Sequence, residues 1–197
     1  MKPQATKHLA MKRRTMLLGC VALAGCSSAP VRSYQLAPVA GAIRGGTGQR
    51  IVVRSISIPA ALGQNGLPKP GGVNDANSFN NDVWAAPLAG MLQATMVQNL
   101  AQRLPGDDVL SGGGAIGAPP DIYVEINVLA FAPDPNGNIA LQAQLAIRHA
   151  TAQDWQFKNF TSSAAGGMMP EGIAAAMSTL WAQAADAVAG MVGLLGS

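Results

Sequence analysis

The residues of this chain that could do chemistry are few and scattered. Two cysteines, Cys20 and Cys26, lie near the start, and beyond them there is a single histidine, His149, at the end of a predicted strand beside Arg148. A metal site needs several His, Cys or acidic ligands at workable spacing, and none is seen. Asp107-Asp108 falls in a Pro-Gly turn, where paired Asp serves turn geometry, and Asp134 sits in a second turn. Asp121 and Glu125 are four apart on the polar side of a predicted strand, the ordinary place for solvated charge. Ser111 and Ser162-Ser163 have no partnered His in a recognisable motif. The Gly45-Gly46-Thr47-Gly48 run is not a phosphate loop, because no Lys-Ser/Thr follows it and a strand rather than a helix comes next. No catalytic residue and no metal is therefore assigned, and the expectation is a protein that is not an enzyme.

The chemistry that the sequence does support is a modification. Lys12, Arg13 and Arg14 form a basic start, residues 15–22 are apolar, and Leu23-Ala24-Gly25 precede Cys26. A basic region, a short apolar region and small residues at a cut describe a secretory signal. The apolar run is too short to cross a hydrocarbon layer of about 30 Å as a helix. The order Leu23-Ala24-Gly25-Cys26 resembles the lipobox of bacterial lipoproteins. That resemblance implies cleavage after Gly25, a diacylglycerol on the Cys26 sulfur and a further acyl chain, such as palmitate, on the freed amine. Leu17-Leu18-Gly19-Cys20 mimics the box but leaves only Thr15 and Met16 between it and the arginines. Cys20 is then discarded with the signal, no thiol remains in the body, and the covalent lipid on Cys26 takes the place of any cofactor. Met11 is an alternative start, which would make residues 1–10 an overhang; Arg13-Arg14 leaves export by the general or the twin-arginine route open. Ser27, where an Asp would favour inner-membrane retention in enteric-type lipoproteins, leaves the periplasmic face of the outer membrane as the expected location.

These readings divide the chain into a signal peptide at 1–25, the lipidated Cys and a short tether at 26–33, and a single periplasmic domain at 34–197. A tether of this length reaches roughly 25 Å at most. From Ser27 onward eight Lys and Arg stand against ten Asp and Glu, a balance of −2, although the whole chain is +3. No basic stripe is left to bind nucleic acid.

The body must bury a core with few aromatics. Tyr34-Gln35-Leu36 opens a first strand, residues 40–49 read as a flexible Gly-rich connector, and the β-branched run 51–58 is a strand with Val52, Ile56 and Ile58 on one face and Arg54 interrupting it. Residues 60–81 read as a long irregular stretch. An amphipathic helix follows, with Asp82 able to cap its start, Trp84 anchoring it, and Leu88, Leu92, Val97, Leu100, Ala101 and Leu104 near helical spacing; Thr95, Gln98, Asn99, Gln102 and Arg103 fall on the opposite face. Residues 121–131 and 139–147 alternate around the turn 133–137 and form a hairpin. Residues 156–161 add a strand. Pro170-Glu171-Gly172 starts a last helix, with Ile173, Met177, Leu180, Trp181, Ala184, Val188, Met191 and Leu195 along one side. Asp186 argues against a membrane span, costing about 2.5–3.5 kcal/mol at a bilayer centre. The expected fold is α+β, a mostly antiparallel sheet of about four to five strands with two amphipathic helices packed on one face.

This order of elements resembles the ABC-type transport auxiliary lipoprotein family. The likeness is carried by Tyr34-Gln35-Leu36 after the lipidated Cys, the strand before Pro59, Trp84-Ala85-Ala86-Pro87-Leu88 opening the first helix, the hairpin and the Ala-rich closing helix. Trp84, Pro87 and Leu88 are the most specific of these residues, and their expected role is structural. Between Pro59 and Asp82 the sequence departs from the family's pattern. The resemblance implies a non-catalytic outer-membrane accessory subunit that works with an MCE-domain protein and an inner-membrane ABC transporter in phospholipid transport and envelope integrity. Self-association is left open. Two other readings stand beside it: a lipid- or solute-binding periplasmic lipoprotein, and a generic outer-membrane assembly factor.

Overall fold

The computed structural model describes residues 29–72 and 77–195; the signal and the lipobox residues Leu23, Ala24, Gly25 and Cys26 lie outside them. In chain order the elements are β1 (Arg32–Tyr34), β2 (Arg50–Ser57), a 3₁₀ turn (Ala60–Gly63), β3 (Gly66–Pro68), β4 (Ser78–Trp84), α1 (Leu88–Arg103), β5 (Asp108–Ser111), β6 (Ile122–Pro133), β7 (Asn138–His149), β8 (Gln156–Ala165) and α2 (Pro170–Leu195). The first strand begins at Arg32, two residues earlier than the sequence suggested. That leaves six residues from Cys26 to Arg32, a reach of about 20 Å.

The α+β class and the pair of helices are as expected, but the sheet is mixed. Its order is β5-β2-β6-β7-β8. β2 runs parallel to both β5 and β6, whereas β6–β7 and β7–β8 are antiparallel. The reason lies in the connections. A short turn joins β6 to β7, with Gly137 at φ 77° and Asp134 Oδ1 accepting from the backbone N–H groups of Asn136 and Asn138. By contrast the 3₁₀ turn, β3, β4 and α1 separate β2 from β5, and a crossover that includes a helix brings strands back in parallel. A second, three-stranded sheet, β1-β4-β3, was not anticipated.

Two bulges decide which side chains enter the core. At Arg54 the register of β2 on β6 slips, so Ile51, Val53 and Ile56 lie opposite Ile122, Val124 and Ile126. The buried face is therefore Ile51 and Val53, with Ile56 joining after the bulge; the expected grouping of Val52 with Ile56 fails because an extra residue reverses the alternation. At Leu129 the same slip in β6 carries Phe131 inward, where it is fully buried with its ring 6.3 Å from Trp181, and leaves Leu129 half exposed.

The first helix starts later than its pattern implied. Asp82 and Trp84 belong to β4, and Asp82 caps nothing; Pro87 holds the N-cap position with φ −52° and ψ 127°. The residue before a proline is pushed out of the helical region, which fixes the boundary. α1 lies over β2 and β5, α2 over β7 and β8, and the two helices touch. Because α1 is covered on two sides, Thr95, Asn99 and Arg103 are buried, Arg103 against α2 and Asn99 under the chain at Val39, while Gln98, Ala101 and Gln102 are exposed.

Residues 35–49, of which 40–49 were expected to be a flexible connector, are a strap across the two helices. Leu36 enters the core; the Ala37 N–H donates to Ser178 Oγ (3.1 Å) and the Val39 N–H to Asn99 Oδ1 (2.9 Å). The Arg44 N–H donates to the Arg103 carbonyl (2.7 Å), and Asp107 Oδ1 accepts from the N–H groups of Thr47 and Gln49. At the centre lies Arg103. Its Nε and Nη2 hold Asp186 (2.7 and 3.2 Å), Nη1 donates to the carbonyls of Val39 and Asn99, and Nη2 also reaches that of Ala182, each at 3.1 Å. Gly41 sits directly on the guanidinium, so that any Cβ there would collide with it.

Arg103→Ala is expected to lower the unfolding free energy by about 3–5 kcal/mol, because Asp186 and the three carbonyls lose their donor. Gly41→Ala is expected to cost about 1–3 kcal/mol through overpacking. In the double variant the glycine change should cost almost nothing, since the group it strikes is gone. Urea unfolding of the four proteins measures this, and simple additivity would refute the contact.

Candidate functional site

The first described strand is clamped to the start of the last helix. In the parallel β1–β4 register Arg32 faces Asp82 and Tyr34 faces Trp84. Arg32 Nε lies 3.0 Å from Asp82 Oδ1, and its Nη1 lies 3.0 Å from Glu171 Oε1. The Tyr34 hydroxyl is a donor shared between Glu171 Oε1 (3.0 Å) and Asp82 Oδ1 (3.1 Å). Local desolvation, followed by those hydrogen bonds to two carboxylates, pushes the Tyr34 pKa from 10.0 up to about 12. Glu171 is held below its ordinary value, first by its own backbone N–H at the helix start, then by the Tyr34 hydroxyl and Arg32. An acidic side chain in a first helical turn also suits the helix dipole. Beside the clamp, Val31, Met168 and Met169 are exposed apolar side chains.

A groove of about 470 Å³ opens next to this end, between the 3₁₀ turn with β3 on one side and the close of the β6–β7 hairpin on the other. Leu62, Trp84, Leu129 and Pro133 form walls, the small Ala132 and Ala140 lie on its sheet side, and Lys69 and Asp134 are its charged residues. Asp134 is occupied by the turn: backbone N–H donors, that of Asn138 foremost, hold its carboxyl below the ordinary value. The groove joins the clamp through the N–H groups of Gly166 and Gly167, which donate to the Gly137 carbonyl just ahead of Met168.

Of the residues singled out from sequence, Trp84 closes β4 and lines the groove, Pro87 sets the helix start, and Leu88 is a buried first residue of α1. Of the other candidates, Asp121 and His149 line one small pocket with Gln49 and Thr151, and the rest stay apart. His149 Nε2 meets the Leu195 carbonyl at 3.3 Å, Asp121 Oδ2 accepts the Arg50 N–H, and Glu125 pairs with Arg54. Ser162 bonds Gln183. Among the described residues no three His, Cys, Asp or Glu come together as a metal site. Sequence reading missed the Arg32–Tyr34–Asp82–Glu171 cluster and the Arg103–Asp186 pair. The one signal for the pair was that Arg103 is the sole charge in α1 and Asp186 the sole charge of α2 beyond its first turn.

A mixed-sheet α+β body with two helices on one face, clamped where its amino-terminal segment arrives, is the class that fold and site define. Residues 34–189 match the family model of the ABC-type transport auxiliary lipoprotein component, and the chain belongs to that family. It is 29% identical over 147 residues to the intermembrane transport lipoprotein PqiC of Escherichia coli (strain K12), covering 71% of this chain and 75% of the relative; the Shigella flexneri protein of the same name matches equally. A crystal structure of an uncharacterized protein superposes with TM-score 0.71 at 20% identity, covering 83% of this chain and 99% of that one. One from Xanthomonas campestris gives 0.66 at 14% identity, covering 83% and 94%. At such identities the two structures share the fold.

The clamp titrates in both directions. Tyr34, with its raised value, adds stability that is complete below pH 10.0 and is lost as pH rises through about 12. Glu171, with its lowered value, adds stability that is complete above pH 4.5 and is lost as acid protonates it. Thermal unfolding across pH is expected to lose part of its alkaline fall in Tyr34→Phe and part of its acid fall in Glu171→Gln; curves parallel to wild type would refute the assignment.

Proposed function

We propose that the chain is a non-catalytic accessory subunit of an intermembrane phospholipid transport system, held by acyl chains on Cys26 at the periplasmic face of the outer membrane. The observation that carries this reading is membership of the ABC-type transport auxiliary lipoprotein family over residues 34–189. Relatives named intermembrane transport lipoproteins support it. Its partners are an MCE-domain protein and an inner-membrane ABC transporter, and its task is to hold the transport conduit at the membrane to which it is itself attached.

The physics of the body is consistent with holding. No described helix is long and apolar enough to cross a membrane, so attachment falls to lipid at about 0.8 kcal/mol per buried methylene, with two or more chains needed for a lasting anchor. Six residues from Cys26 to Arg32 keep the body beside the bilayer, so the partner has to come there. The charged groups support the non-catalytic part. Arg32, Asp82 and Glu171 close the clamp, Arg103 and Asp186 join the helices, and Asp107, Asp121 and Asp134 fasten loops.

Metabolic labelling with palmitate should mark the wild-type chain and leave Cys26→Ala unmarked. Fractionation should move the protein from the outer membrane to a soluble envelope fraction in that variant. Crosslinked envelopes should yield an MCE-domain protein with the wild type. Recovery of an unacylated chain with an intact first thirty residues from cytosol would end the proposal, and recovery of a β-barrel alone would replace it with the assembly-factor reading.

A further inference from the structure

We infer that the groove between the 3₁₀ turn and the β6–β7 hairpin holds one acyl chain of an anionic phospholipid from the leaflet to which the protein is tethered. The inference rests on the tethering in the proposed function and is independent of the transport partner. Four observations carry it. The groove has the size of a small-molecule site, about 470 Å³, inside the range of about 300–1,000 Å³ usual for such sites. Its walls are mostly apolar, and Leu129 stands half exposed in it, turned there by the bulge that sends Phe131 the other way. Bulges are a device for re-aiming a side chain beside a site, and exposed apolar surface in a groove marks a contact. Ala132 and Ala140, paired across β6 and β7, keep the sheet side shallow enough for a hydrocarbon chain to lie along it.

Charge and position choose the ligand. Lys69 lines the groove with no ion-pair partner among the described residues, while the other charge, Asp134, is spent on its own turn. A cation with no ion-pair partner among the described residues, beside a mostly apolar trough, suits a hydrocarbon chain with an anionic head. The groove also adjoins the anchored end: Arg32 binds Glu171, Met168 and Met169 precede it, and Gly167 binds the hairpin turn. Exposed Val31 precedes Arg32, and exposed Met168 and Met169 precede its partner Glu171; about 20 Å of tether holds this end within reach of the lipid surface.

The test uses the full acylated protein on vesicles of phosphatidylethanolamine and phosphatidylglycerol, the phosphatidylglycerol carrying dibrominated acyl chains that quench tryptophan on contact. Quenching of Trp84 is expected and should vanish in Trp84→Phe. Ala132→Phe and, separately, Ala140→Leu fill the groove from exposed or half-buried positions and should each abolish quenching while circular dichroism stays unchanged. Lys69→Glu should raise the phosphatidylglycerol fraction needed by about tenfold. The Cys26→Ala chain added to the same vesicles should still be quenched at higher lipid concentration, which separates this site from the anchor; loss of the MCE partner with quenching intact would sink the transport reading and leave the site standing. Absence of Trp84 quenching, quenching that survives both filling variants, or quenching by brominated free fatty acid alone would each overturn the inference.

Discussion

A guanidinium without exposed surface must find an acceptor for every N–H it carries, and an arginine has five. Arg103 finds them in three different parts of the chain: Asn99 on its own helix, Ala182 and Asp186 on α2, and Val39 on the strap. Leaving any of them unmade would strand a buried charge, so the strap, α1 and α2 can be assembled in only one relation. Gly41 supplies the close approach, and Asn99 reaches out to the strap one turn earlier. Buried pairs of this kind contribute less to net stability than to uniqueness, since a well-packed apolar replacement is often as stable. Here the uniqueness is used to fasten a Gly-rich segment that has almost no regular structure.

That fastening matters because the strap is the continuation of β1. The amino-terminal segment arrives at Arg32, passes through the clamp on Glu171 and Asp82, and runs on under the hold of Ser178, Asn99 and Arg103. From Arg32 onward the chain therefore meets, in sequence, an ion-pair cluster at the start of α2 and a hydrogen-bonded strap along it. Trp181 adds a cross-tie in the same layer, its indole N–H donating to the Leu92 carbonyl at 2.9 Å. Continuity of this kind runs from the first described strand to the core in a chain of the ABC-type transport auxiliary lipoprotein family.

The end of the molecule that carries the clamp also exposes apolar side chains, Val31, Leu129, Met168 and Met169 among them. Two structural choices create it: the small sheet β1-β4-β3, which sets a wall opposite the hairpin, and the bulge at Leu129, which spares that residue from the core. The remaining outer face of the large sheet is different in kind. Tyr123 lies between Arg54 and Arg148, each guanidinium 5.0 Å from the ring, and Arg148 also stacks over Trp155. The body thus separates a polar, cation-capped sheet face from an apolar end.

Much of this was legible in the residues. Hydrophobic alternation gave the β6–β7 hairpin, periodicity gave the buried side of α2, and the Pro-Gly pair after Leu104 ended α1 where it does end. The α+β class followed from the order of those elements, and the lipobox and the short motifs around Trp84 pointed to the family. These are local or nearly local properties, written in the period and type of neighbouring side chains. What the sequence could not state is anything that depends on two distant segments meeting: the parallel pairing of β2, the strands within residues 60–84, the bulges that reverse alternation, and the fate of Arg103, which looked like a surface cation. An arginine is exposed by default and is buried only when its acceptors converge, and that convergence exists only after the chain has folded.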